Sequence, residues 1–188
     1  MKLNKFADIS TGLVLARKKS LYDKGFEYKL LTLKSFNENG YIEDEFLDNF
    51  FSEEKIKDQY LTREGDIIVR LSSPNTAVYI EKSQEGIIIP SLFVIIRNTS
   101  NVILSKFLQV YLNSERCRRQ LAGDIIGSVL SIVKTSSFKE ISVPQYTKEK
   151  QQDIINLNEL VIKEKILLSQ LLSEKEKYHK VIMGKIFN

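Results

Sequence analysis

Toward the C terminus, apolar residues recur every three or four positions: Ile154, Leu157, Leu160, Val161, Leu167, Leu168, Leu171, Tyr178, Val181 and Ile182. No proline follows Pro144, so the spacing predicts one long helix with a single apolar stripe. From Lys148 to Phe187 such a helix is roughly 60 Å long at about 1.5 Å per residue. With Ile154 at a heptad a position, a holds Ile154, Val161, Leu168, Lys175 and Ile182, and d holds Leu157, Glu164, Leu171, Tyr178 and Lys185. Seven of these ten seam positions are apolar or aromatic, and Leu160, Leu167 and Val181 at g widen the stripe. A stripe with no core of its own is built to dock, either on a partner helix or by folding back on the rest of the chain. Glu164 and Lys175 in the seam either pair across an antiparallel interface or tolerate exposure.

The preceding residues alternate in the manner of a mixed α/β head. Segments 28–33, 66–71, 76–80, 86–89, 92–96 and 139–143 are rich in Ile, Val and Leu, are bounded mostly by Gly, Pro, Asn or Ser, and read as strands. Between 102 and 121, Leu104, Phe107, Leu108, Tyr111 and Leu112 keep helical spacing, with Ser100, Asn101 or Ser105 as N-cap and Gly123 placed to end the helix. Ser52, followed by Glu53, Glu54 and Lys55, is suited to open a short surface helix. The fold class expected is α+β, a mixed α/β head at 1–147 followed by one arm at 148–188.

At 188 residues and 43% hydrophobic, the chain buries one domain core plus a helical appendage. The net charge of +4 permits a polyanionic partner without demanding one. Segment 38–58 holds eight acidic residues against two lysines and is expected to face away from any phosphate. Cys117 is the only cysteine, which precludes an intramolecular disulfide, and the opening MKLNKFADIS lacks the apolar core of a signal peptide. The expected location is the cytoplasm. No apolar run approaches the length of a membrane span.

Catalytic chemistry finds little to build on. His179 is the only histidine and lies on the arm, so one His and one Cys do not make a metal cluster. Cys117 sits near Arg116, Arg118 and Arg119, which could lower its pKa, although a lone helical cysteine more often packs. Those arginines fit best as partners of helix-terminal carbonyls. Glycine-rich nucleotide cradles are absent, and Ser73-Pro74-Asn75-Thr76 is not the proline-rich string of an adenine methyltransferase. Glu27-x-Lys29 and Glu53-x-Lys55 match a short nuclease string but read as surface charge. Tyr22, Phe26 and Phe36 read as core or wedge residues, since no basic ladder interleaves them. The chain is expected to be non-catalytic and to need no cofactor.

An ordered set of strings then carries a resemblance. Gly65-Asp66-Ile67-Ile68-Val69-Arg70 is followed by a turn near Pro74, and then by Ile88-Ile89-Pro90-Ser91-Leu92-Phe93-Val94-Ile95. Next come Phe107-Leu108-Gln109-Val110-Tyr111-Leu112-Asn113-Ser114, Gly127-Ser128, Ile141-Ser142-Val143-Pro144 and Gln151-Gln152-Asp153-Ile154-Ile155. Over roughly residues 60 to 188 this order resembles a target-recognition domain and spacer helix of a type I restriction-modification specificity subunit (the HsdS family). Family members carry two such units; this chain holds one, and its proline pattern after the last strand is thinner.

The resemblance implies a sequence-specific double-stranded DNA recognition subunit that reads one half-site per chain. It also implies methyltransferase and restriction subunits as partners, and a homodimer whose antiparallel coiled coil sets two inverted half-sites apart, or else a pair with a different half-subunit, in which case the target halves differ. The dimer seam expected is Ile154, Leu157, Val161, Leu168, Leu171, Tyr178 and Ile182. For DNA, Arg17, Lys18 and Lys19, followed by Lys24, form a basic cluster suited to phosphate. Arg70, Ser72, Ser73, Asn75 and Thr76 lie in or beside a loop between strands where polar groups reach base edges, or else form a plain turn. Ser128 and Lys134 precede the last expected strand, a region the resemblance places near DNA. The alternative is a coiled-coil adaptor for protein partners, which salt dependence of binding would separate from a DNA reader.

Overall fold

The computed structural model describes residues 1–15, 25–122 and 132–187. Strands β1 (Ala7–Thr11), β4 (Asp66–Arg70), β5 (Ala77–Tyr79) and β6 (Phe93–Asn98) form an antiparallel sheet in the order β1-β6-β4-β5. Strands β2 (Phe26–Leu30) and β3 (Asp48–Ser52) pair antiparallel as a separate ribbon. Helices α1 (Ser105–Leu112), α2 (Glu115–Ala122) and α3 (Thr135–Lys139) complete the head, and α4 (Lys148–Phe187) is the arm.

The four-stranded sheet is apolar on both sides because both are covered. Ile67, Val69, Ala77, Val94 and Ile96 meet Phe107, Leu108, Phe138 and Ile155 from the helices. Their strand neighbours Ile68, Val78, Phe93 and Ile95 pack against Leu31, Phe36, Ile42, Ile87 and Ile89. Phe36 stacks on Phe93 with ring centroids 4.6 Å apart. Strands buried on both faces lose strict alternation, which is why β4 and β6 read as continuous runs of Ile and Val.

Several expectations are corrected. Segment 86–89 is no strand: its Ile88 makes only isolated bridges to Leu30 and Leu61, and a short buried run cannot be distinguished from a strand by periodicity. Segment 139–143 contains the end of α3, and beyond that helix it makes only a bridge between Ser142 and Lys2. The helix expected over 102–121 is broken after Leu112, where Ser114 Oγ donates to the Tyr111 carbonyl and accepts from the Cys117 N–H at 3.3 Å. None of the three proposed N-caps serves: Leu104 is the cap residue, and its N–H is taken by Gln151 Oε1 at 2.8 Å. Gly123 lies outside the described residues. Ser52 opens no helix; it ends β3, fully buried, with its Oγ donating to the Glu54 carbonyl. Phe36 is core as expected, Phe26 is exposed in β2, and Tyr22 falls outside the described residues.

The arm is seated by polar contacts at its root. Gln151 is fully buried, and besides accepting from Leu104 it donates through Nε2 to the Val102 and Tyr146 carbonyls, both at 2.9 Å. Ile155 enters the core, Lys106 bridges Glu81 and Glu159, and Lys165 donates to Asn39. The hydrogen bond to Glu81 raises the Lys106 pKa, so this cation stays charged through neutral pH. Beyond Lys165 the described contacts with the head cease, and the rest of the arm projects. The fold-back alternative therefore fails for its second half, most of whose apolar residues are exposed.

Candidate nucleic-acid interface

Strand register determines which loops share an end of the sheet. Thr11 faces Val94, Phe93 faces Arg70, and Val69 faces Ala77, so the ends of β1 and β4 and the starts of β5 and β6 lie together. Backbone bonds stitch the loops there into one surface: Leu13 N–H to Ile89, Ser91 N–H to Leu13, Leu71 N–H to Leu92 and Val133 N–H to Leu71. Thr11 and Thr135 hydroxyls meet at 2.8 Å. Sequence positions far apart thus form one platform of loops 11–13, 70–76, 90–93 and 132–135.

The turn at 70–76 is the most polar part of this platform. Its Ser73-Pro74 peptide is cis, and Asn75 has φ of 56°, a left-handed conformation that asparagine tolerates better than most residues. Asn75 Nδ2 donates to the carbonyls of Arg70 at 3.1 Å and Leu71 at 2.9 Å, so its amide holds the turn closed. Arg70 Nε, Ser72 Oγ and Thr76 Oγ1 are buried without any hydrogen-bond partner. Polar atoms left unpaired in a folded chain are costly, and these three cluster in one turn. Ser73 is exposed, and Lys134 is exposed at the N-cap position of α3. Arg17, Lys18, Lys19, Lys24 and Ser128 lie outside the described residues.

The acidic segment stands away from this platform only in part. Glu45 and Asp48 line an open groove with Leu15, Leu31, Pro90 and Leu92. Lys34 lines the same groove, so its charge is mixed rather than purely acidic.

Sequence reasoning missed the residues that brace the platform. Asn113, at the break between α1 and α2, accepts from the Ala77 N–H and donates to the Ala77 carbonyl, both at 2.8 Å. Gln109 Nε2 donates to the same carbonyl and to that of Gly40. Together they cap the free edge of β5 and fix the turn beside it. Gly40 has φ of 87°, and a Cβ there would lie 2.6 Å from Gln109 Nε2.

The arm presents two faces. At about 100° per residue, Gln151, Ile155, Asn158 and Ile162 form the face toward the head, whereas Leu157, Val161, Leu168, Leu171 and Tyr178 lie on the far side. Those five are between 41% and 69% exposed, even where the helix is docked. Ile154, at the boundary, packs partly against the head's core, and Ile182 is half-buried.

Chemistry elsewhere is muted. Cys117 is fully buried, a packing residue as expected, and desolvation pushes its thiol up to about 12, outweighing Arg118. Its folded pKa is raised, so its contribution to stability is intact below the unfolded value and is lost as pH rises from about 8.5 toward 12. The native protein is expected to resist a thiol-reactive disulfide reagent at pH 8 and to react at once in denaturant; equal rates would contradict this burial. Arg118 and Arg119 turn back to Glu115 within α2. Glu27 and Glu53 are exposed, and Lys29 donates to Asn49. Among the described residues no three His, Cys, Asp or Glu side chains gather as metal ligands, and no helix is long and apolar enough to cross a membrane.

No family model and no curated protein sequence matches this chain. Solved structures do. An HsdS subunit from Thermoanaerobacter tengcongensis superposes with a TM-score of 0.71 at 15% identity, over 97% of this chain and 46% of that one. A chain from a study of complex assembly and conformational transition of the type I R-M system gives 0.71 at 16% identity, over 100% of this chain and 48% of that one. The S subunit of a type I restriction-modification system from M. genitalium gives 0.54 at 14% identity, covering 94% and 42%. The chain thus has the fold of half of such a subunit, mixed α/β head and long helix included, and spans less than half the length of these solved chains.

Proposed function

We propose that this chain is a half-length DNA specificity subunit of a type I restriction-modification system. Its loop platform reads one half-site of a bipartite target, and its arm joins a second recognition unit while recruiting modification and restriction subunits. The observation that carries the reading is the half-subunit fold ending in an arm whose far face is apolar and uncovered. An uncovered apolar face of this length is suited to pairing with the helix of a second recognition unit. In this reading the exposed Ser73 and the partly exposed Arg70 and Ser72 of the turn reach base edges, and the exposed cation Lys134 meets phosphate. Catalysis belongs to the recruited subunits, and this chain contributes address and spacing.

Fluorescence anisotropy on a labelled duplex tests the head. Affinity is expected to fall steeply with salt, since each neutralised phosphate adds about 0.9 to the slope of log affinity against log salt concentration. Lys134→Ala is expected to weaken all sequences alike and to reduce that slope by about 1, whereas Arg70→Ala costs about 1–3 kcal/mol and relaxes sequence preference. Binding that ignores salt, or no duplex binding by the assembled complex, would sink the proposal.

A further inference from the structure

We infer that a second copy of this chain covers the stripe in one antiparallel register, centred between Ser169 and Gln170, so that Glu164 of each copy faces Lys175 of the other. This deepens the pairing part of the function proposed above and rests on it. In an antiparallel coiled coil an a residue meets a d residue of the opposite helix, and the choice among registers is made in steps of one heptad. In the central register Leu168 faces Leu171 of the second copy, Leu157 faces its Ile182, and Glu164 faces Lys175; of the three charged seam residues only the terminal Lys185 meets an apolar side chain, Ile154. Sliding one heptad either way sets Glu164 against Leu168 or Ile182, and Lys175 against Leu157 or Leu171, leaving charges against apolar side chains. A parallel pair sets glutamate on glutamate and lysine on lysine.

Two features of the single chain agree. Glu164 and Lys175 are exposed, and neither forms an ion pair among the described residues. Leu157, at 65% exposure, remains open although the head already occupies the other side of the helix there. The central register brings the tip of the second arm, around Tyr178 and Ile182, onto that docked stretch, on the side turned from the head. The stripe mates with itself, charge to opposite charge, which a surface shaped for an unrelated helix has no reason to do.

Charge reversal in the full chain tests the register, with sedimentation equilibrium as the readout and no DNA present. E164K alone, and K175E alone, place like charges in both symmetric layers and are expected to raise the dimer dissociation constant about 10- to 100-fold. An equimolar mixture of the two variants pairs opposite charges and is expected to restore wild-type affinity as a heterodimer. A dimeric wild type that tolerates both reversals unchanged overturns the register while leaving self-pairing in place. A wild type that stays monomeric overturns self-pairing, and neither result bears on whether the head binds DNA.

Discussion

Leu168→Glu is expected to convert the protein to a monomer at concentrations where the wild type is dimeric. Leu168 is 58% exposed in the single chain and lies near the middle of the uncovered stripe, so nothing within the head depends on it. In the pair it is buried twice, once in each copy. A carboxylate in an apolar layer without a partner costs several kcal/mol, so the dissociation constant should rise about 1,000-fold or more. Light scattering after gel filtration reads the mass, and circular dichroism should show an intact head. DNA affinity should fall with it, since two linked heads bind about 100-fold or more tighter than one. A variant that stays dimeric places the interface elsewhere.

Asp66→Ala is expected to cost the head as much stability as truncating a buried core aromatic. Asp66 is buried; its Oδ1 accepts from Arg97 Nε at 3.0 Å, and its Oδ2 accepts from Arg97 Nη2 and the Arg63 N–H, both at 3.1 Å. Arg97, on the neighbouring strand, is only 22% exposed and also donates to the Leu61 carbonyl. Removing the carboxylate leaves a mostly buried guanidinium without its counter-charge, which costs about 3–5 kcal/mol. Urea denaturation should show that loss as a lower midpoint with an unchanged slope, while Asp66→Asn, which keeps part of the hydrogen bonding, should lose less. A loss below about 1 kcal/mol would mean that solvent reaches the pair as it does a surface ion pair.

The legible parts of the sequence are those where one periodicity runs uninterrupted. The arm emerges from spacing alone because some forty residues repeat a helical pattern without proline. Strands β4 and β6 were visible as Ile and Val runs, because both of their faces are buried. Strand β1, Ala-Asp-Ile-Ser-Thr, and β3, Asp-Asn-Phe-Phe-Ser, escaped notice because much of each is exposed or polar: the alternation of β1 rests on only two apolar residues, and β3 sets its two phenylalanines side by side. Segment 86–89 misled for the opposite reason, its apolar run being buried without pairing as a strand.

The candidate interface was legible by composition but not by role. Polar residues between 70 and 76 marked a loop, yet only the fold shows that Asn75 holds the turn while Arg70, Ser72 and Thr76 carry unpaired atoms. Gln151 and Asn113 stood in the strings that carried the resemblance, but their roles were not legible, because their partners lie 47 and 36 residues away in the chain. A buried amide that satisfies distant backbone groups resembles an ordinary surface amide until the chain is folded.

Selection from a randomised duplex library by the assembled protein tests the central claim most directly, with the modification subunit present in one arm of the experiment. Two identical heads related by a two-fold axis should enrich a bipartite motif, two copies of one short sequence in inverted orientation separated by a fixed number of unspecified base pairs. Enrichment of a lone half-site, of halves at variable spacing, or of no motif in either arm would contradict it.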